Sequence, residues 1–183
     1  MEFEVIRSNR KSIRVEVDGK KLRIIAPLQA TNEDINRFML QNKQWIETHL
    51  AKAQAHEKAK ENYHKLTQEE IVALANRALE VIPERVAHYA PLIGVSYGRI
   101  TIRRQRSKWG SCSSKGNLNF NCLLMLTPPE VIDSVVVHEL CHRKEMNHSK
   151  KFYEEVLRVF PEYWTQDKWL KENGDILMTM LGE

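Results

Sequence analysis

The stretch Val135-Val136-Val137-His138-Glu139-Leu140-Cys141-His142 decides how this chain is read. On an α-helix, residues four apart share a face, so His138 and His142 can aim two imidazoles at one ion. Each helical residue is rotated by about 100° from the last, which puts Glu139 beside such an ion rather than on it. From there a carboxylate can take a proton from ion-activated water and pass it to a leaving group. Leu140 falls on the far side, and the three valines give the helix apolar surface to bury. The helix start is also legible. Thr127-Pro128-Pro129-Glu130 has a capping threonine, prolines in the first turn where a missing N–H costs least, and a glutamate that closes a capping box. The pattern predicts a helix running to about Met146.

A catalytic zinc takes three protein ligands and leaves a fourth position open. His148 lies six residues beyond His142. A continuous helix would carry it to another face, so it can ligate only if the helix breaks first; Asn147 suits a left-handed turn there. Glu145, three residues after His142, stays on the ligand face and is the competing candidate, as a ligand or as a group supporting one. Tyr153 is a candidate phenol donor to an oxyanion, against the ordinary packing of a surface helix tyrosine. His49, His56, His64 and His88 have no partner at ligand spacing.

Outside the motif, the chain of 183 residues fits one domain, or one with a small appendage. Hydrophobic residues make up 42% and charged residues 28%, enough for a core and too balanced for disorder. Apolar runs such as Cys122-Leu123-Leu124-Met125-Leu126 fall far short of the roughly 20 residues a membrane helix needs. The acidic start, Met1-Glu2-Phe3-Glu4, is unlike a secretory signal, and the expected location is cytoplasmic. The 3 cysteines, Cys112, Cys122 and Cys141, lack paired spacing and read as reduced thiols. Net charge is only +4, but no Asp or Glu occurs from Arg85 to Pro129, where Arg85, Arg99, Arg103, Arg104, Arg106, Lys108 and Lys115 all fall. That predicts a locally basic surface, either a nucleic-acid contact or an edge strand protected from aggregation.

Alternation at Phe3 and Val5, at Ile13, Val15 and Val17, and at Leu22, Ile24 and Ala26 predicts a small antiparallel sheet, with Asp18-Gly19 as a hairpin turn. Thr31 then caps a helix carrying Ile35, Phe38, Met39, Ile46, Leu50 and Ala53, which fades into a solvated extension. Thr67-Gln68-Glu69-Glu70 has capping-box form and opens a helix to about Tyr89, with Pro83 predicting a kink or break. Strands follow at 100–103 and 118–122, separated by the turn-rich Ser107–Gly116 region, and further helices at 149–160 and 164–181. The chain divides into 1–65, strands plus a long helix, and 66–183, the core that carries the motif.

Taken together, His-Glu-Leu-Cys-His at 138–142, Glu145-Met146-Asn147-His148-Ser149, Phe152, Trp109-Gly110-Ser111-Cys112 and Asn119-Phe120-Asn121 resemble the YgjP-like metallopeptidase family. The resemblance covers most of the chain. It implies an α+β, zincin-like fold related to the SprT-like proteases, in which an active-site helix packs on a small antiparallel sheet, preceded by an N-terminal β-sheet and a long helix. It also implies zinc ligation by His138, His142 and His148, with Glu139 as general base. The spacing from His142 to His148 equals that of metzincins, but Glu145 stands where those have glycine. In zincins an extended substrate pairs with a sheet edge beside the metal, so Trp109, Asn119, Asn121 and Tyr153 are candidates to line a cleft for a peptide or protein substrate, against Trp109 as a core aromatic and the asparagines as partners of turn backbone. Imidazole sites also accept other divalent transition metals, so Zn2+ is expected but not singled out by the ligands. The competing functions are a protease recruited to nucleic acid through the basic stretch and a scaffold with a structural metal. Neither oligomeric state nor cleavage preference is encoded in any motif here.

Overall fold

In the computed structural model, residues 3–18 and 21–182 are described. They form two compact units, Met1–Tyr63 and His64–Glu183. The architecture is α+β, with six α-helices and two three-stranded sheets among the described residues.

In the first unit, β1 (Phe3–Ser8), β2 (Arg14–Asp18) and β3 (Lys21–Pro27) form a sheet in the order β1-β3-β2. The sheet is mixed rather than antiparallel: β2 runs against β3, but β1 runs parallel to it. The reason is the order itself, because β3 inserts between the two earlier strands. Its alternate residues Leu22, Ile24 and Ala26 are buried, while Phe3 and Val5 of β1 stay largely exposed. Asp18 pairs with Lys21 across the expected hairpin, whose Gly19 lies outside the described residues. The helix expected next is two helices, α1 (Asn32–Gln41) and α2 (Lys43–Asn62). Thr31 caps α1 in a full capping box with Asp34. Asn42 breaks the run because its side-chain amide donates to the Phe38 carbonyl at 2.8 Å, competing with the helical ladder.

In the second unit, Thr67 and Glu70 complete the capping box of α3 (Gln68–Ile93), which ends at Gly94 with φ 79°. Pro83 and Pro91 lie inside α3 without ending it. Pro83 withdraws one N–H from the Leu79 carbonyl, on an exposed turn of the helix. Strands β4 (Ile100–Arg103), β5 (Gly110–Cys112) and β6 (Leu118–Asn121) form the second sheet, ordered β4-β6-β5, with β4 parallel and β5 antiparallel to β6. Residues 110–112, expected as turn, are thus an edge strand. Leu118 and Phe120 of β6 are fully buried, in a core shared with Ala78, Ile82 and Val86 of α3 and Val136, Val137 and Leu140 of α4 (Pro129–Cys141). A 3-10 turn (Cys122–Leu126) connects β6 to α4. Pro128, not Thr127, is the N-cap of α4. The Thr127 hydroxyl instead donates back to the Leu124 carbonyl at 2.8 Å, closing the 3-10 turn. Helices α5 (Lys150–Val159) and α6 (Tyr163–Thr179) complete the unit. No helix among the described residues is long and apolar enough to cross a membrane, and all three cysteines are free.

Candidate metal centre

The site begins at the C-terminal end of α4. The helix ends at Cys141, short of the expected Met146, and His142 is its C-cap. The chain leaves through tightened turns in which Arg143 N donates to Leu140 O at 2.9 Å and Lys144 N to Cys141 O at 3.0 Å. No left-handed residue is used: among the described residues only glycines have positive φ, so Asn147 is not the pivot. The turn is held in place from outside. Arg143 donates to the carbonyls of Ser96 and Ser114, both at 3.1 Å. Lys144 meets Glu155 of α5 at 2.6 Å, and Arg158 and Lys144 together hold the Glu155 carboxyl down to about 2. Ser149 caps α5, accepting from Phe152 N at 3.3 Å.

This path returns His148 to the helix face. Nε2 of His138 lies 3.2 Å from Nε2 of His142 and 3.0 Å from Nε2 of His148. One ligand atom from each of the three falls within 4.8 Å of the others, and no other such trio of His, Cys, Asp or Glu occurs among the described residues. Glu145 contributes no oxygen to the cluster; its backbone carbonyl faces Nδ1 of His142 at 3.1 Å. Tyr163 of α6 faces Nδ1 of His138 through its hydroxyl at 2.8 Å. Beneath the trio lies Phe152, fully buried, with ring centroids 4.9, 4.6 and 5.0 Å from those of His138, His142 and His148.

A divalent cation fits this donor set. Tetrahedral ligation at a Zn–N distance of about 2.0–2.1 Å separates ligand nitrogens by about 3.3 Å, close to the spacings above. One ring proton on His138 cannot satisfy both neighbouring nitrogens, whereas a cation at the centre satisfies all three lone pairs. Burial, followed by the charges of His142 and His148, pushes His138 down to about 3, so its imidazole is neutral at ordinary pH. His142 is lowered as well, mainly by burial.

Glu139 is 5% exposed, and its Oε2 is buried without a hydrogen-bond partner. Desolvation pushes its carboxyl up to about 8, against a lowering effect of Lys108. The side chain lies flat against the edge strand. A β-carbon at Gly110 would come within 2.6 Å of its Oε1 and 2.7 Å of its Cγ, so only glycine fits there.

The other residues expected at the site divide. Trp109 packs against α6, where a β-carbon at Gly174 would approach its indole to 3.0 Å, and it borders a cavity next to His138. Tyr153 is beside the centre, its ring 6.2 Å from His148 and 4.8 Å from Trp164. Asn119 bridges strands, donating to Ser111 Oγ at 3.2 Å and accepting from Arg103 at 3.4 Å. Asn121 does not face a cleft. It is fully buried, donates to the carbonyls of Gln105 and Lys108, and accepts from Leu123 N, so it braces the turn before β5. Of the basic stretch, Arg85 pairs with Asp133 and Arg104 donates to the Leu181 carbonyl. Tyr163 carried no signal in the sequence beyond the need of a buried tyrosine hydroxyl for a partner.

A family model for the YgjP-like, metallopeptidase domain matches residues 11–74 and 64–173, most of the chain. The chain belongs to the YgjP-like metallopeptidase family. A YgjP-like metallopeptidase is a metal-dependent hydrolase of peptide substrates, and the His138, His142 and His148 cluster is the group in this member that could hold a metal. Two solved structures are similar to parts of this YgjP-like chain. One is the metallopeptidase zymogen of Pyrococcus abyssi abylysin, at 23% identity and TM-score 0.45, covering 50% of this chain and 94% of that one. The other is the metallopeptidase zymogen of Methanocaldococcus jannaschii jannalysin, at 24% identity and TM-score 0.42, covering 49% and 91%. No curated protein matches this YgjP-like chain.

Proposed function

We propose that this chain hydrolyses peptide bonds with a zinc ion held by His138, His142 and His148 and with Glu139 as the general base. The observation that carries the reading is the convergence of three Nε2 atoms, next in sequence to Glu139, whose Oε2 is buried without a hydrogen-bond partner. A bound zinc ion would supply Lewis acidity and water of lowered pKa. The chain's own residues do the rest. Tyr163 and the Glu145 carbonyl each accept the Nδ1–H of a histidine, which leaves the Nε2 lone pairs directed inward. Phe152 excludes water from beneath the imidazoles. Glu139 takes a proton from the attacking water on a carboxylate oxygen and returns it to the departing amine nitrogen. Gly110 lets the edge strand approach that carboxylate, and the unpaired side of β5 offers backbone groups to an extended substrate.

The test is Glu139→Gln. The variant is expected to retain about one equivalent of zinc while peptide hydrolysis falls by about 10²–10⁴-fold. Activity that survives the substitution would remove Glu139 as the base. Loading with cobalt or nickel in parallel checks the ion's identity, since the ligands alone do not select zinc.

A second reading, contact with nucleic acid, is supported by Arg99, Arg103, Arg106, Lys108 and Lys115, all exposed. Phosphate contacts weaken steeply with salt. The expected outcome is a gel shift whose affinity drops at least tenfold between about 50 and 200 mM salt; no salt-sensitive shift would retire this reading.

A further inference from the structure

The cavity next to His138 has a volume of about 160 Å³ and lies between α4 and α6. Trp109, Val135 and Leu170 supply its apolar wall, and Ser134, His138, Tyr163 and Asp167 its polar one. The four residues of the polar wall each have a partner. Ser134 donates to the Val131 carbonyl at 2.8 Å, His138 and Tyr163 bond each other at 2.8 Å, and Asp167 holds Lys171 at 2.5 Å. What the cavity still offers is hydrocarbon and indole surface. A volume of about 150 Å³ accepts a benzene-sized guest. Position matters equally. Trp109 immediately precedes the edge strand whose Gly110 lies on Glu139, and His138 is both a wall of the cavity and a member of the histidine cluster.

We infer that this cavity receives an uncharged, apolar side chain of the peptide substrate, of leucine to phenylalanine size, and so selects which bonds are cut. The inference rests on the peptidase reading above and adds its substrate class. Asp167 is already paired with Lys171, which leaves it less pull on a basic side chain. Leu170 is half-buried on α6, so its size can be changed without opening the core.

The test has two arms on the zinc-loaded full chain. In the first, peptides identical except at one position carry leucine, phenylalanine, alanine, aspartate or lysine there. Leucine and phenylalanine are expected to be cut at least about tenfold faster than the others, the discrimination an apolar pocket supplies. Leu170→Phe should shift the preference to alanine, and Leu170→Ala should shift it to larger rings. A flat profile, or lysine preferred, overturns the inference while leaving the peptidase reading intact. The second arm needs no turnover. The indole N–H resonance of Trp109 should move saturably with N-acetyl-leucinamide and not with the aspartyl analogue. A resonance that ignores both overturns the inference even if no peptide is cut. If it responds and no peptide is cut, the cavity's preference stands and the peptidase reading fails.

Discussion

Glu139 combines three properties that a buried carboxyl seldom has together: no hydrogen bond to Oε2, a backbone pressed against its side, and cationic help only from Lys108. In the metal-free protein, desolvation raises its pKa from 4.5 to about 8. A carboxyl raised on folding is neutral in both states below the unfolded pKa, so it costs nothing there. Above it, the unfolded chain releases the proton while the folded one must keep it or bury a charge. Stability therefore falls as pH rises from about 4.5 to about 8 and then levels off. At about 1.36 kcal/mol per unit, the loss is on the order of a few kcal/mol. Metal-free Glu139→Gln should lack it, and denaturant titrations at pH 5 and pH 8.5 compare the two. His138, depressed to about 3, has the opposite sign and destabilises the fold as pH falls below about 6.5. It does so equally in both proteins, so the difference between them isolates Glu139. Identical pH dependence would mean that burial of this carboxyl costs little.

Between elements, the decisive contact is from α6 to α4, where Tyr163 fixes the ring of His138 across 25 residues of sequence. Removing the hydroxyl in Tyr163→Phe deletes the acceptor for Nδ1–H without changing shape. Zinc affinity is expected to fall by about 10–100-fold, measured by competition with a chromophoric chelator, while the fold persists. Unchanged affinity would show that α4 orients His138 unaided. Contacts of this kind explain what could be read beforehand. The histidine pair and its helix were legible because their spacing is local. The need for a break before His148 was also legible, but its place was not. Asn147 has the right local chemistry, whereas the turn is fixed at His142 by Arg143, Lys144 and Glu155, through partners distant in sequence. Strand β5 was hidden because Gly-Ser-Cys has little strand preference of its own; pairing with β6 makes it one. For Asn121 the sequence left cleft and turn-bracing roles side by side, because alternation cannot distinguish a polar side chain that faces solvent from one that braces a turn; its bonds to Gln105, Lys108 and Leu123 show the second.

For the whole molecule, every residue of the candidate metal centre and of the cavity beside it belongs to the second unit. The two apolar clusters there draw only on residues from Leu66 onward, and the cluster of the first unit only on residues up to Met39. A chain of residues 64–183 has the size of an ordinary domain. It is expected to unfold cooperatively and to bind about one zinc with an affinity within about threefold of the full protein. Calorimetry and metal titration check this, and a fragment that fails to fold would show that the first 63 residues complete the core. The three histidines differ in how the chain carries them: His138 lies inside α4, His142 is its C-cap, and exposed His148 comes after the connecting turns and just before α5. Were the trio to hold a cation as proposed above, the Arg143 and Lys144 tethers on the connecting turns would set how well the third nitrogen is placed, and α4 would set the first two.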